Sequence, residues 1–216
     1  EPPKPPRPPH HDCDCNHDHD HCGCHESPSI RSFTVNGVQS LVLEQGSNPG
    51  TLMFRWDIDG DVRSLTLDGV NLDPRSDSMA FNATGMCTDK TFELVATGYD
   101  RTKASSRVPV SFAHVVRWGD AEIPDEVDQG FLQMLSGHEF SNERSRTVDI
   151  AAGEGEYLWY AIPASMGEPS FWVDGFMGGF VKESPVTVSL QGGGTVPYNV
   201  YRSTNAGLGV VSVEVR

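Results

Sequence analysis

The chain has 216 residues, 37% of them hydrophobic, with four Trp and ten Phe, enough to close one large or two modest packed cores. Acidic residues outnumber basic ones 30 to 16 and the net charge is −14, a surface that repels phosphate backbones and argues against a nucleic-acid partner. No apolar run approaches the ~20 residues needed to cross a bilayer, so no membrane span is expected.

Residues 2–10 read PPKPPRPPH, three tandem copies of Pro-Pro-X. Such a run favours an extended polyproline II helix. It serves either as a stiff spacer or as a thin stalk in which several copies run side by side. Collagen is excluded, because glycine does not occupy every third position.

The tract HHDCDCNHDHDHCGCHES follows at residues 10–27 and holds six of the eight His and four of the five Cys. Odd positions carry His11, Cys13, Cys15, His17, His19 and His21; even positions carry Asp12, Asp14, Asn16, Asp18 and Asp20. An extended strand turns alternate side chains to opposite faces, so one face is all metal ligands, repeating every ~6.6 Å. Cys22, Cys24 and His25 extend the ligand set.

Three parallel chains would offer six imidazole nitrogens from one His-x-His pair each. That set suits an octahedral site for iron or another transition metal. The carboxylates beside the imidazoles can accept the free ring N–H and fix its tautomer, or simply solvate the outer face.

Other readings stay open. Cys13, Cys15, Cys22 and Cys24 can hold one tetrahedral zinc within a chain, although Cys-x-Cys is a less usual spacing than Cys-x-x-Cys. The same four are disulfide candidates, within or between chains; a Cys13–Cys15 bond would be cramped. The tract can also be an acidic tail that binds metal only loosely. The cofactor expected is iron or zinc, and the partner expected first is another copy of the chain, with a homotrimer following from the six-nitrogen count.

Residues 28–119 read as short strands of period two. Leu52, Phe54, Trp56 and Ile58 share one face; Leu65 and Leu67, then Phe92, Leu94 and Ala96, then Val108, Val110 and Phe112 repeat the pattern. Alternation with frequent turn signals predicts an antiparallel sandwich. Trp56 sits where an immunoglobulin-like domain keeps its core Trp. The Cys pair of antibody domains is missing, since Cys87 is the one cysteine of this segment. In DIDGD, Asp57, Asp59 and Asp61 resemble a calcium loop but lack its glycine and glutamate spacing. The Asp59-Gly60 step predicts a hairpin turn instead.

Residues 120–140 predict a linker with a short helix. Val127, Phe131, Met134 and Leu135 fall on one helical face, Asp125 is the expected N-cap and Gly137 the expected stop. Residues 141–216 return to strands: RTVDIAA, EYLWYAIP, SFWV, PVTVSLQ, PYNVYRS and GVVSVEVR, with Gly-rich turns separating several of them. The expected class is therefore all-β. The layout is an extended Pro-rich and His/Cys-rich stalk (1–27), an Ig-like β-sandwich (28–119), a linker (120–140) and a second small β domain (141–216). YLWY, FWV and GFMGGF gather aromatics that can stack on sugars, or serve core and interface. No nucleophile elbow, P-loop or His-Glu-x-x-His is present, so no enzyme activity is expected.

FRWDIDGDVRSLTLDG, TDKTFELVATGYD, VPVSF and VRWG, followed by YLWYAIPASMG and YNVYRSTNAGLG, occur in this order. On these segments residues 28–216 resemble phage tail-fibre and other virion structural proteins that join an Ig-like module to a companion β module. The resemblance implies a structural or host-attachment role in a fibre, spike, collar or baseplate, a virion location and contacts with other virion proteins, and it carries no catalytic residues. His17-Asp18-His19 and His19-Asp20-His21 are similar to the His-x-His motif with which three chains of phage spike tips grip iron; those tips lie at the far end of the spike and lack flanking cysteines. The rival expectation is a secreted bacterial adhesin or carbohydrate-binding module with a metal-binding tail. Either role admits a host-surface glycan as partner.

Overall fold

The computed structural model describes residues 25–216. The predicted Pro-rich stalk and its junction with the His/Cys tract therefore lie outside the described residues. The rest is β almost throughout, in strands β1 (Ser29–Val35), β2 (Leu41–Glu44), β3 (Thr51–Asp59), β4 (Val62–Leu67), β5 (Val70–Leu72), β6 (Ser78–Asn82), β7 (Lys90–Gly98) and β8 (Lys103–Ala121). After helix α1 (Gln129–Met134) come β9 (Gly137–Ser141), β10 (Arg146–Ala152), β11 (Tyr157–Pro163), β12 (Phe171–Val173), β13 (Phe176–Met177), β14 (Phe180–Lys182), β15 (Val186–Ser189), β16 (Thr195–Ser203) and β17 (Gly209–Val215).

The first unit is an Ig-like sandwich. One sheet has the order β1-β3-β6; the facing one joins β4, β5, β7 and β8, with β2 added in parallel on β8. The period-two expectation holds residue by residue. Leu52, Phe54 and Trp56 of β3 face Leu65, Leu67, Phe92, Leu94, Val108 and Val110 in one buried cluster. Trp56 is buried and its indole donates to the Ser76 carbonyl at 2.7 Å, so its polar edge is satisfied.

β8 joins the two units. Its 19 residues reach about 60 Å at ~3.3 Å per residue. The first half pairs with β7, and the second half pairs with β9 and β11. Midway, Ala113, Val115 and Val116 are all buried, because the strand passes between packed layers on both sides. The boundary expected near residue 119 falls inside this strand, and the one at 140/141 falls inside β9.

In the second unit β11 is buried on both faces. Leu158, Tyr160 and Ile162 pack toward the sheet β10-β17-β12-β13, while Trp159 and Ala161 pack under α1 and β15. A strand covered on both sides needs no polar alternation, which explains the unbroken YLWYAIP run.

Four expectations are corrected. Asp59-Gly60 is not a hairpin turn: β3 pairs with β1 and β6, whereas β4 pairs with β5 and β7, so the step carries the chain from one sheet to the other. Two-residue turns with both residues at positive φ fall instead at Asn36-Gly37, Asp68-Gly69 and Asp174-Gly175, as the hairpin turn requires. The cap of α1 is Asp128, whose carboxylate accepts from Phe131 N at 2.8 Å, not Asp125. The later start rotates the face: Phe131, Leu132 and Leu135 are buried and Met134 is 82% exposed. Gly137 does not stop the helix but opens β9, where a Cβ would lie 2.3 Å from the Trp118 indole nitrogen.

Candidate functional site: the lead-in and the exposed edge

Of the nine predicted metal ligands, His11, Cys13, Cys15, His17, His19, His21, Cys22 and Cys24 lie outside the described residues, as do the four disulfide candidates. His25 is described, and it is docked. Its Nδ1 lies 3.2 Å from Asp61 Oδ2. Its ring stacks on Tyr99, centroids 4.4 Å apart and planes 17° from parallel.

The residues that follow are laced to the same end of the sandwich. Glu26 N donates to Asp61 Oδ2 at 3.2 Å, and Asp61 N donates back to the Glu26 carbonyl at 2.9 Å. Ser27 Oγ donates to Asp100 Oδ2 at 2.6 Å. That bond, with those from the Thr102 hydroxyl and amide, holds the Asp100 carboxyl below its ordinary pKa. The approach is close enough to demand glycine: at Gly60, φ +84°, a Cβ would fall 2.4 Å from the Ser27 carbonyl oxygen. The inter-sheet turn thus serves as a cradle for the end of the tract.

Beside it opens a cleft of about 560 Å³, whose ionisable walls are Asp57, Asp61, Asp73 and Asp77 against Arg63 and Arg75. The three acids of DIDGD do not converge on one point. Asp57 and Asp59 face Arg31 at 3.9 and 2.6 Å, while Asp61 faces His25. Among the described residues no group of three His, Cys, Asp or Glu is placed to hold a metal ion. Sequence reasoning identified His25 but missed its partners. Asp61 is 36 positions away and Tyr99 farther still, and no local motif links them.

The remaining predicted features divide between core and surface. Leu158, Trp159 and Tyr160 are fully buried, with the Trp159 indole donating to the Ala121 carbonyl at 3.1 Å, so of YLWY only the half-buried Tyr157 reaches the surface. Phe176 and Met177 are 80% and 75% exposed on β13, the last strand of its sheet. Next to them Trp172 carries the Arg216 guanidinium at 4.2 Å from its ring centre, and Arg216 forks onto Glu214 at 2.7 and 2.8 Å. Cys87 is exposed, with no disulfide partner among the described residues. His114 Nε2 lies 3.5 Å from the exposed Ser165 hydroxyl, and burial lowers its pKa against the opposing charge of Glu44. No carboxylate is hydrogen-bonded to that ring among the described residues, so the pair does not form a nucleophile relay. No described helix is long and apolar enough to cross a membrane.

No family model matches the chain, and no characterised relative matches it by sequence. Solved structures similar to parts of it include the following two. One holds the N-terminal eight Ig domains of Down Syndrome Cell Adhesion Molecule, with 10% identity and a TM-score of 0.29 over 83% of this chain and 23% of that one. The other is the mixed-linkage glucan utilization locus protein SGBP-B of Bacteroides ovatus with a mixed-linkage heptasaccharide, with 13% identity and a TM-score of 0.27 over 80% of this chain and 40% of that one. The match thus spans about a quarter of the first of these chains and two fifths of the second. Likeness at this level assigns no function.

Proposed function

We propose that the chain is a structural and adhesive subunit of a phage virion, a component of a fibre, collar or tail. Several copies, three by the six-nitrogen count, are held together through residues 1–27 by iron or zinc, by disulfides, or by both. The β units carry contacts to other virion proteins and to the host surface. The observation that supports this most is the lacing of residues 25–27 to the inter-sheet turn at Gly60 and Asp61. A clamp in the tract then acts on a rigid β body rather than on a free tail. A thin stalk has little apolar core of its own, so metal or disulfide links contribute most there. The reading has no catalytic step.

Native mass spectrometry of the full chain, under reducing and oxidising conditions and with and without a chelator, tests this. A trimer holding a fixed whole number of iron or zinc ions when reduced is the expected result. A metal-free oligomer that separates only on reduction makes the tract a disulfide staple. A monomer under every condition overturns the reading.

A second reading, a secreted bacterial adhesin or carbohydrate-binding module, draws on a different observation: Phe176 and Met177 stand exposed beside Trp172. Binding of the full chain to a glycan array, without association with sheath, neck or capsid proteins, would favour it.

A further inference from the structure

We infer that the cleft at the end of the first sandwich binds a neutral saccharide, with Arg63 and Arg75 donating to its hydroxyls, Asp73 and Asp77 accepting from them, and Tyr99 covering a ring face. The inference deepens the reading that the β units contact the host surface, and rests on it for the source of the sugar.

Three connections meet at this cleft: residues 60–61 between β3 and β4, residues 73–77 between β5 and β6, and the turn after β7 that carries Tyr99. A sandwich gathers its loops at its two ends, and loops on a rigid scaffold are where binding groups concentrate. The cleft encloses about 560 Å³, within the range of roughly 300–1,000 Å³ usual for small-molecule sites. Its walls are set before any ligand arrives. Trp56 is the buried floor, its indole donating to the Ser76 carbonyl at 2.7 Å and its amide to the Asp77 carbonyl at 2.9 Å. Arg75 N donates to Asp73 Oδ1 at 2.9 Å, which fixes the turn between them. Walls organised in advance lower the entropy lost on binding.

The charges decide the ligand class. Arg63 and Arg75 form no ion pair among the described residues, although four carboxylates line the same cleft. Two of those carboxylates face other cations, Asp57 toward Arg31 and Asp61 toward His25. Asp77 accepts from Ser78 Oγ at 2.8 Å on Oδ1, and Asp73 has only its Oδ1 engaged. A carboxylate only accepts and a guanidinium only donates. An anionic ligand would meet more acid than base on these walls. A cationic ligand would leave both guanidiniums unmatched. A hydroxyl donates and accepts, so a polyol satisfies both sets at once. Tyr99, stacked on His25 and 53% exposed, adds ring surface for the C–H face of a pyranose.

The test presents the full chain to an array of neutral, uronic-acid-bearing and sialylated oligosaccharides, with whole host cells in parallel. Wild type is compared with Arg75→Gln, Asp77→Asn, Tyr99→Ser and the double variant Arg63→Gln with Arg75→Gln. Titration calorimetry with the strongest array oligosaccharide gives the affinities. The expected signals fall among the neutral oligosaccharides, with a loss of about tenfold or more in Arg75→Gln and in Asp77→Asn, the usual size for a hydrogen bond to a charged group. The double variant should lose more than Arg75→Gln alone, and Tyr99→Ser should also weaken binding. Neutral glycans bound equally by wild type and every variant place the sugar elsewhere on the β units and overturn the inference. Capture of acidic glycans alone overturns it as well, since the ligand class is then wrong. Binding to host cells without binding to any array sugar overturns the inference and leaves the adhesive reading standing. Binding to neither overturns both. The substituted residues are all exposed, and thermal unfolding of each variant confirms that the sandwich is intact.

Discussion

Tyr198 donates its hydroxyl to the carbonyl of Val115 at 2.7 Å, with Glu44 Oε1 at 3.2 Å beside it. The bond ties β16 of the second unit to the midpoint of β8. Tyr160, equally buried one strand away, finds no partner for its hydroxyl among the described residues. The two tyrosines should respond oppositely to loss of that oxygen. Tyr198→Phe strands a buried carbonyl and should cost about 1–3 kcal/mol. Tyr160→Phe removes an unpaired polar atom from the core and should be neutral or stabilising. Chemical denaturation of the two variants checks this, with unchanged slope showing that only stability moved.

Alkaline pH should act through the same residues. Burial pushes the Tyr160 hydroxyl from its ordinary 10.0 up to about 12. Burial raises Tyr198 further, helped by the negative charge of Glu44. The folded state thus keeps protons that the unfolded state gives up first. Stability from these groups is complete below pH 10 and falls as pH rises toward about 12, following the proton difference between the two states. Unfolding free energy measured across this window should decline. Tyr198→Phe should flatten the decline, and tyrosinate absorbance of the native protein should lag behind that of the unfolded chain.

The strands of both units were legible in the sequence because one-sided burial imprints period two on the chain. Leu52, Phe54 and Trp56 announce β3 in this way, and Val148, Ile150 and Ala152 announce β10. Pairing was less legible. Asp59-Gly60 and Asp68-Gly69 are the same dipeptide, yet only the second closes a hairpin, because β1 and β6 take both edges of β3. The two-residue strand β13 is too short to show any period. Of the candidate site, only His25 was legible in the sequence. What orients His25 is a carboxylate and a phenol brought in by tertiary packing, and no spacing rule encodes that.

The two units also meet through loops, and there glycine is required by contact. A Cβ on Gly194 would stand 2.4 Å from the Gly46 carbonyl oxygen. Alongside it Asn48 N donates to the Gln191 carbonyl at 3.1 Å. Gly194→Ala must push two backbone segments apart and should cost roughly 1–3 kcal/mol, as overpacking of a tight contact does. Limited proteolysis should then open the 46–48 and 191–194 loops first. A variant as stable and as resistant as wild type would show that these loops bear no part of the junction.

The exposed edge gives the last prediction. Phe176 and Met177 follow the Asp174-Gly175 turn, pair with Val173 and Trp172, and leave the far side of β13 without a neighbouring strand in the sheet. At 80% and 75% exposure they contribute little to the core, so Phe176→Ser with Met177→Ser should change stability by no more than about 0.5 kcal/mol. An aromatic and a thioether held at a sheet edge offer apolar area for the face of a sugar ring. If this edge makes the adhesive contact, the double variant keeps its melting temperature and oligomer mass but loses binding to host cells or to an immobilised glycan. Unchanged binding would show that this edge does not make the contact.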